Sequence, residues 1–258
     1  MLCRLCGNPG KFVKAHAIPE AFFRVLRAEG ETPLIVSNTA NTFPKRSPIG
    51  VYDEGILCDQ CEPLFDHIDD YGSQVLLNRF HEFFQPLIHA DKTVAFQATD
   101  VDQKLLLRFL IATLWRASVS THIFYKRVSL GPFEDVARRV ILSPQDSIPE
   151  EFSAVLSRWT SEEAHRYATT GLMNPFREKW GGVNAYRVSF GEVVSYIKVD
   201  SRPLPSTLRD LSLLAQPTVT LVARDFSKSK DFAAMVHTAK QSHQHQEEAR
   251  HARRKHLV

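Results

Sequence analysis

The sequence CRLCGNPGKFVKAHAIPE, at residues 3–20, contains two of the four cysteines of this chain, and YDEGILCDQCEPLFDHIDDY, at residues 52–71, contains the other two. These cysteines form two CxxC pairs, Cys3 with Cys6 and Cys58 with Cys61. Each pair brings two thiolates close enough to share one ion, and two pairs complete a closed tetrahedral site. The spacing therefore predicts a structural Zn²⁺ with no open position for water or substrate.

The composition indicates a soluble globular protein with a sizeable core, since 43% of the 258 residues are hydrophobic and 24% are charged. The longest apolar run, 105–115, is interrupted by Arg108 and is too short to cross a bilayer. The N-terminus lacks the pattern of a signal peptide. A cytoplasmic protein without a membrane partner is expected, and there disulfides are a weaker alternative for the cysteines.

The net charge of +3 lies in the tail, because residues 240–258 carry five Lys or Arg against two Glu. The rest of the chain is neutral overall and does not by itself indicate nucleic-acid binding. The tail is polar all round and is expected to be a frayed helix or disordered. It is either a solvated terminus or an arm for nucleic acid.

Hydrophobic periodicity divides the chain into a metal-stapled module at 1–85, a helical and α+β domain at 86–239, and the tail at 240–258. The predicted fold class is α+β, with the N-terminal module, a helical middle, and a small C-terminal β-sheet followed by a terminal helix. Helices are predicted over 17–28, 60–85, 101–128, 132–141, 149–157, 161–169 and from about 228. Strands are predicted over 185–200, with Gly191 at a turn or a bulge, and over 217–226.

The order of knuckle, β-prone segment, second knuckle and helix is that of a treble clef, and the sequence resembles HNH-type (ββα-metal) modules whose structural zinc is held by four cysteines. It is more similar still to uncharacterised prokaryotic proteins with the pattern CxxC…HIIP…LLC..CE, followed by a helix with a Trp-Arg pair. The resemblance covers about 120 residues and is more specific for the fold than for activity. The matching residues are Cys3, Cys6, His16-Ala17-Ile18-Pro19, Gly55-Ile56-Leu57-Cys58, Cys61-Glu62 and Trp115-Arg116.

This resemblance implies a metal-dependent endonuclease that hydrolyses DNA phosphodiester bonds, in a prokaryotic defence or mobile-element context. In such modules a His at the end of the first strand is the general base, an Asn before the second knuckle orients it, and ligands on the next helix hold a divalent metal on the phosphate. His16 stands at the position of the base and Asp53 at that of the Asn. Glu62 and Asp66, one helical turn apart, stand at the positions of the metal ligands.

Two departures from that pattern concern the second metal. Ala15 stands where a metal-binding residue commonly precedes the base, and no His follows Cys61. A site made from Glu62, Asp66 and Asp53 is rich in oxygen, which favours Mg²⁺ or Mn²⁺ over a second zinc.

The candidate catalytic residues also have structural interpretations. His16 can hydrogen-bond a backbone group and lock the hairpin, and Asp53 can shape a turn. Glu62 and Asp66 can interact with the dipole at the start of a helix.

Arg116 is the candidate nucleic-acid contact, although it can instead close a buried ion pair with a helix carboxylate, and Trp115 is expected in the core. The alternative function is a catalytically inactive treble-clef module that binds nucleic acid or a protein partner. The 185–226 sheet is expected to support the core or an interface with a second copy of the chain.

Overall fold

The structure, a computed structural model, describes residues 1–27, 32, 34–35, 44–143, 147–161 and 172–255, with the backbone alone described at 34 and 249–255. Over these residues the fold is mixed α+β, as the sequence predicts, and the four cysteines lie together near the N-terminus. None of the described helices combines the length and the hydropathy that a bilayer-spanning helix needs.

The described strands are β1 Ala15–His16, β2 Leu34–Ile35, β3 Lys45–Arg46, β4 Tyr52–Asp53, β5 Gln85–His89, β6 Lys92–Ala98, β7 Phe152–Trp159, β8 Phe176–Trp180, β9 Val183–Phe190, β10 Val193–Val199 and β11 Val219–Arg224. The described helices are α1 Glu20–Arg24, α2 Asp66–Ser73, α3 Phe80–Phe83, α4 Gln103–Val119, α5 Glu134–Leu142, α6 Ser206–Arg209 and α7 Lys230–Lys255.

Seven strands form the main sheet, in the order β5-β6-β11-β7-β10-β9-β8. Neighbouring strands are antiparallel except β11 and β7, which pair in parallel. Two short ladders lie outside this sheet, β1 with β4 and β2 with β3. The β1–β4 ladder connects the segments that follow the first CxxC pair and precede the second.

Different helices cover the two faces of the sheet. Successive side chains of a strand point to opposite faces. Val193 and Ile197 of β10 accordingly belong to the main core together with the residues of α4, whereas Val194 and Tyr196 pack in a second cluster that includes Phe232 of α7. The sheet is therefore a middle layer between α4 and the first turns of α7.

Helix α4 lies at the centre of the main core. Asp102 caps its N-terminus by accepting a hydrogen bond from the N–H of Leu105 at 2.9 Å. Every residue from 106 to 117 is buried, because α4 packs against the sheet, α2 and α5. The apolar run seen in the sequence is thus the central core helix, as predicted.

A buried ion pair joins α4 to α2. The guanidinium of Arg116, whose side chain is 3% exposed, donates to both carboxylate oxygens of Asp69 at 2.6 Å and lies 4.5 Å from the centre of the Phe65 ring. The indole of Trp115 is stacked on the same Phe65 ring and is buried. The structural interpretations of Trp115 and Arg116 therefore hold, and in this conformation the guanidinium of Arg116 is not available to a phosphate.

Most of the predicted elements are present with shifted ends. The region 17–28 contains α1, which begins after Pro19, and 132–141 corresponds to α5. The region 60–85 is a succession of a 3₁₀ turn at Glu62–Phe65, α2, a π-helical turn at Gln74–Asn78 and α3. The predicted strand region 185–200 is the β9–β10 hairpin, 217–226 contains β11, and the helix from about 228 is α7.

Three predictions about the middle of the chain are wrong. Residues 149–157 are not a helix but enter the central strand β7, which is buried on both faces and whose sequence FSAVLSRW lacks the strict alternation of apolar and polar residues that indicates a strand. The helix predicted over 101–128 ends at Val119 and is followed by a 3₁₀ turn at Ile123–Tyr125. The sheet is not small, since β5, β6, β7 and β8 add four strands to the three that were predicted. The helix predicted over 161–169 lies outside the described residues apart from 161.

Replacing Asp69 by Ala removes one partner of the buried pair and leaves the Arg116 guanidinium without its carboxylate. We expect the free energy of unfolding to fall by about 3 kcal/mol, the low end for breaking a buried pair because Asp69 is itself 20% exposed. Urea denaturation followed by circular dichroism measures this loss. The matched control is Glu82→Ala, which breaks an exposed pair with Arg79 and is expected to change stability little. Equal losses in the two variants would contradict the role given to Arg116–Asp69.

Candidate metal centre and surrounding residues

The four cysteine sulfurs form one cluster. All four lie within 4.8 Å of one another, and the sulfurs of Cys6 and Cys58 are 4.0 Å apart. Tetrahedral coordination with metal–sulfur bonds of about 2.3 Å separates the sulfurs by about 3.8 Å. The cluster therefore has the size that one tetrahedral metal ion requires.

Backbone hydrogen bonds hold the two CxxC segments against each other. The N–H of Arg4 donates to the carbonyl of Ile56 at 2.9 Å, and the N–H of Asp59 donates to the carbonyl of Lys11 at 2.8 Å. Each CxxC also closes on itself, with the N–H of Gly7 donating to the carbonyl of Cys3 and that of Cys61 to Cys58. Gly7 has a φ of 77°, which glycine adopts without strain.

The environment of the sulfurs favours thiolates that share a cation. Burial acts to raise the pKa of the Cys3 thiol, but backbone amides of Cys6, Cys58 and Leu5 lower it, and the pKa falls to about 7. Burial and the neighbouring cysteines raise the pKa of Cys61. Several adjacent thiolates repel one another unless a positive ion lies between them, and metal binding to thiols therefore displaces protons. Four sulfur donors this close together, one of which accepts from backbone N–H groups, can hold a metal ion.

The His16 ring is half-buried and oriented by a backbone carbonyl. Its Nε2 lies 2.8 Å from the carbonyl oxygen of Ile49, and its ring centre lies 6.0 Å from that of Tyr52, its partner across the β1–β4 ladder. Because a carbonyl can only accept, Nε2 carries the proton and Nδ1 has the lone pair. Burial is the largest cause that lowers the pKa of His16 and keeps the ring neutral near pH 7.

Asp53 binds the end of α4 rather than His16. Its carboxylate accepts hydrogen bonds from the N–H of Gly55 and the hydroxyl of Ser120, both at 2.8 Å, and from the N–H and hydroxyl of Thr121 at 2.8 and 3.1 Å. Burial acts to raise the pKa of Asp53, but these donors outweigh it and lower the pKa. Asp53 therefore does more than shape a local turn, because its hydrogen bonds join β4 to the residues that follow α4. The group that orients His16 is the Ile49 carbonyl.

Glu62 and Asp66 lie at the start of the helix that follows the second CxxC. Burial, followed by the negative charge of Asp66, raises the pKa of the half-buried Glu62, whereas Asp66 is exposed. The charges of the Arg116–Asp69 pair act on the pKa of both Glu62 and His16, so this ion pair lies in the electrostatic environment of both residues.

The structure brings the four cysteines within ligand distance of one ion but does not do so for the candidate catalytic residues. Among the described residues, the four cysteines are the one group of three or more Cys, His, Asp or Glu whose ligand atoms lie this close to one another. No preformed metal site with three ligands is therefore made by the candidate catalytic residues His16, Asp53, Glu62 and Asp66. Mg²⁺ is often held by one or two carboxylates together with substrate phosphates, and Glu62 and Asp66 can supply that number.

A pocket of about 540 Å³ lies beside His16, between the loop that leads into β4 and the turn after α4. Lys45, Ile49, Thr121 and His122 are among its lining residues. None of these four residues was predicted from the sequence, because they come from two distant segments, 45–49 and 121–122, and form no motif. The one feature of the sequence that could have indicated this pocket is the exposed pair Lys45-Arg46, which lies between the two CxxC segments.

Comparison of the chain with protein-family models, with curated proteins and with solved structures finds no match. The chemistry of the site consequently rests on the geometry of its own residues.

Chelation of the bound metal is expected to unfold the N-terminal module, since its two CxxC segments join through the shared ion. Elemental analysis should find one metal ion per chain, and a strong chelator should remove it with loss of stability and exposure of four reactive thiols. Cys6→Ser is expected to lower the metal content. The control Asp59→Asn changes an exposed residue between Cys58 and Cys61 and should retain the full metal content. Four freely reactive thiols in the untreated protein would contradict a shared metal site.

The hydrogen bonds of Asp53 predict a pH-dependent loss of stability. A carboxyl whose pKa is lowered by folding stabilises the protein above its unfolded pKa of about 3.9, and that contribution is lost as the pH falls through the lower folded value. Asp53→Asn should therefore be less stable than the wild type at pH 7, and the difference should shrink as the pH falls below about 4. Urea denaturation across this range measures the difference. A pH-independent difference would show that the charge of Asp53 contributes nothing.

Proposed function

We propose that the protein is a metal-dependent endonuclease whose N-terminal module is an HNH-like treble clef stapled by Zn²⁺. The observation that carries this proposal is the hydrogen bond that orients His16: Nε2 lies 2.8 Å from the Ile49 carbonyl oxygen, which leaves Nδ1 as the proton acceptor, and burial lowers the pKa of the ring. General bases in hydrolysis need this form, since the ring must be able to accept a proton from water. Orientation by a carbonyl keeps the same nitrogen available in every turnover.

Zinc is the metal that the cysteine cluster fits best. Four thiolates in a tetrahedral arrangement are typical of structural zinc sites and leave no position for substrate. Its role in this proposal is mechanical. The ion holds the segment before His16 against the segment before Glu62, so that the two candidate catalytic residues remain on one module.

The chemistry of the proposed reaction follows from His16 and the two carboxylates. Nδ1 of His16 takes a proton from water as the water oxygen bonds to phosphorus, and the ester bond to the leaving oxygen breaks. The leaving oxygen keeps the bonding electron pair and takes a proton from solvent. Glu62 and Asp66 would hold Mg²⁺ or Mn²⁺, which when bound stabilises the charge that develops on the phosphate. The carbonyl of Ile49 stabilises the imidazolium form by continuing to accept from Nε2.

A nicking assay tests this proposal. Purified full-length protein should convert supercoiled plasmid to the open circle when Mg²⁺ or Mn²⁺ is added, and His16→Ala should lower the rate by about 10²-fold or more, as expected for loss of a general base. Glu62→Gln should lower the rate and weaken the dependence on the added metal. The matched control is His89→Ala, at an exposed position on β5. A wild type that does not nick, or a His16→Ala variant that nicks equally fast, overturns the proposal.

A catalytically inactive binding module is the second candidate, and one observation favours it. Asp53 and Arg116, two of the residues suggested for the site, are engaged in hydrogen bonds that support the fold. This candidate predicts the zinc site alone and no Mn²⁺ bound through Glu62 and Asp66. Electron paramagnetic resonance of added Mn²⁺ distinguishes the two, since immobilised Mn²⁺ that is lost in Glu62→Gln supports the nuclease.

A further inference from the structure

The pocket beside His16 contains groups that the proposed mechanism does not use. Its volume of about 540 Å³ lies within the range of about 300–1,000 Å³ that is common for small-molecule sites. This volume exceeds what a single phosphate ion fills. The lining combines cationic, hydroxyl-bearing and apolar side chains.

Two cations and one ring N–H are available in the pocket. Lys45 and Arg46 are exposed, and no salt bridge among the described residues engages either of them. Nδ1 of His122 accepts the N–H of Phe124 at 3.1 Å, so the proton of the neutral ring is on Nε2, which can donate to a ligand. Lys45 is close enough for its charge to act on the pKa of His122, although burial is the larger cause of the lowering. Lys45, Arg46 and His122 all line this one pocket.

The two acidic residues of the pocket, Asp53 and Glu54, differ in how far they oppose the binding of an anion. The carboxylate of Asp53 is engaged by Gly55, Ser120 and Thr121, whose donors stabilise its charge. Glu54 is exposed at the edge and opposes the binding of an anion. Its removal should strengthen the binding of a phosphate, which makes it a useful test position.

The pocket shares a wall with the candidate general base. The carbonyl of Ile49 holds Nε2 of His16, and Ile49 also lines the pocket. Tyr52 lines it as well and pairs with His16 across the β1–β4 ladder. A strand with one nucleotide in this pocket would thus have its neighbouring phosphodiester close to His16.

We propose that this pocket binds one unstacked nucleotide of a single-stranded nucleic acid, with its phosphate against Lys45, Arg46 and His122. Ile35 and Pro48 supply an apolar wall for the sugar and base. A base inside a pocket must leave its stack, so single strands and frayed ends bind better than intact duplex. This inference rests on the proposed function, because it names the form of nucleic acid that the same module takes.

Fluorescence anisotropy with a labelled single-stranded oligodeoxynucleotide tests the pocket, using the full zinc-loaded protein without added Mg²⁺ or Mn²⁺. The double variant Lys45→Ala/Arg46→Ala should weaken binding at least about tenfold at low salt, and the slope of log K against log salt should fall by about 1.4, which is two phosphate contacts at about 0.7 each. Glu54→Gln should tighten binding. Thymidine 5′-monophosphate should compete with the oligonucleotide better than inorganic phosphate does, and duplex of the same sequence should bind more weakly.

The matched control is Arg177→Ala/Lys179→Ala, which removes the same two charges from exposed positions on the edge strand β8. This control should leave oligonucleotide binding unchanged. Equal losses of affinity in the two double variants would overturn the proposal that the pocket binds the nucleotide. Competition by inorganic phosphate as strong as that by the nucleotide also overturns it. If the wild type nicks plasmid but the pocket variant binds normally, the pocket proposal fails and the proposed nuclease stands. If the pocket variant loses binding while the wild type does not nick, hydrolysis fails and the pocket stands.

Discussion

The convergence of four cysteine sulfurs is the constraint on which the N-terminal module depends. Residues 3–6 and 58–61 are separated by about fifty positions in the chain, and short β-pairing alone is weak support for a segment of this kind. The four sulfurs are close enough to hold one ion that joins both pairs, and the buried side chains of Leu5, Ile18 and Leu57 belong to the same apolar cluster as Cys3, Cys58 and Cys61. His16 and Glu62 each follow one of these pairs, so the geometry between them depends on the same cysteine cluster.

Helix α4 connects this module to the rest of the fold by polar contacts as well as by packing. Arg116 pairs with Asp69 on α2, while Ser120 and Thr121, just past the helix end, bind Asp53 on β4. Asp53 was a candidate catalytic residue in the sequence, and Asp69 lies three residues after the candidate metal ligand Asp66. The contacts of Asp53 place the end of α4 against the β1–β4 ladder, and Asp53 and Thr121 both line the pocket. Buried polar groups of this kind require partners, which explains their position at the junction.

The extent of prediction differs between local and long-range features. Residues with a strong local signal, such as the apolar run of α4 or the Gly191 hairpin, were predicted with the correct type of structure. Strand β7 was predicted as a helix, because a strand covered on both faces has no alternation to reveal it. The hairpin of β5 and β6 received no prediction, and its strands join a sheet whose other members lie far away in the chain. Sheet membership is a non-local property that periodicity does not report.

The sequence by itself determined the cysteine cluster, the α+β class and the central core helix, since CxxC spacing and apolar periodicity are local and each has a direct physical consequence. Only the tertiary structure decided the partners of the ionisable residues. It tied His16 to the Ile49 carbonyl, Asp53 to Ser120 and Thr121, and Arg116 to Asp69. It also brought Lys45 and His122 into one pocket. The reason is that a charged side chain takes its role from the donors and acceptors around it, and those come from segments that only the folded chain brings together.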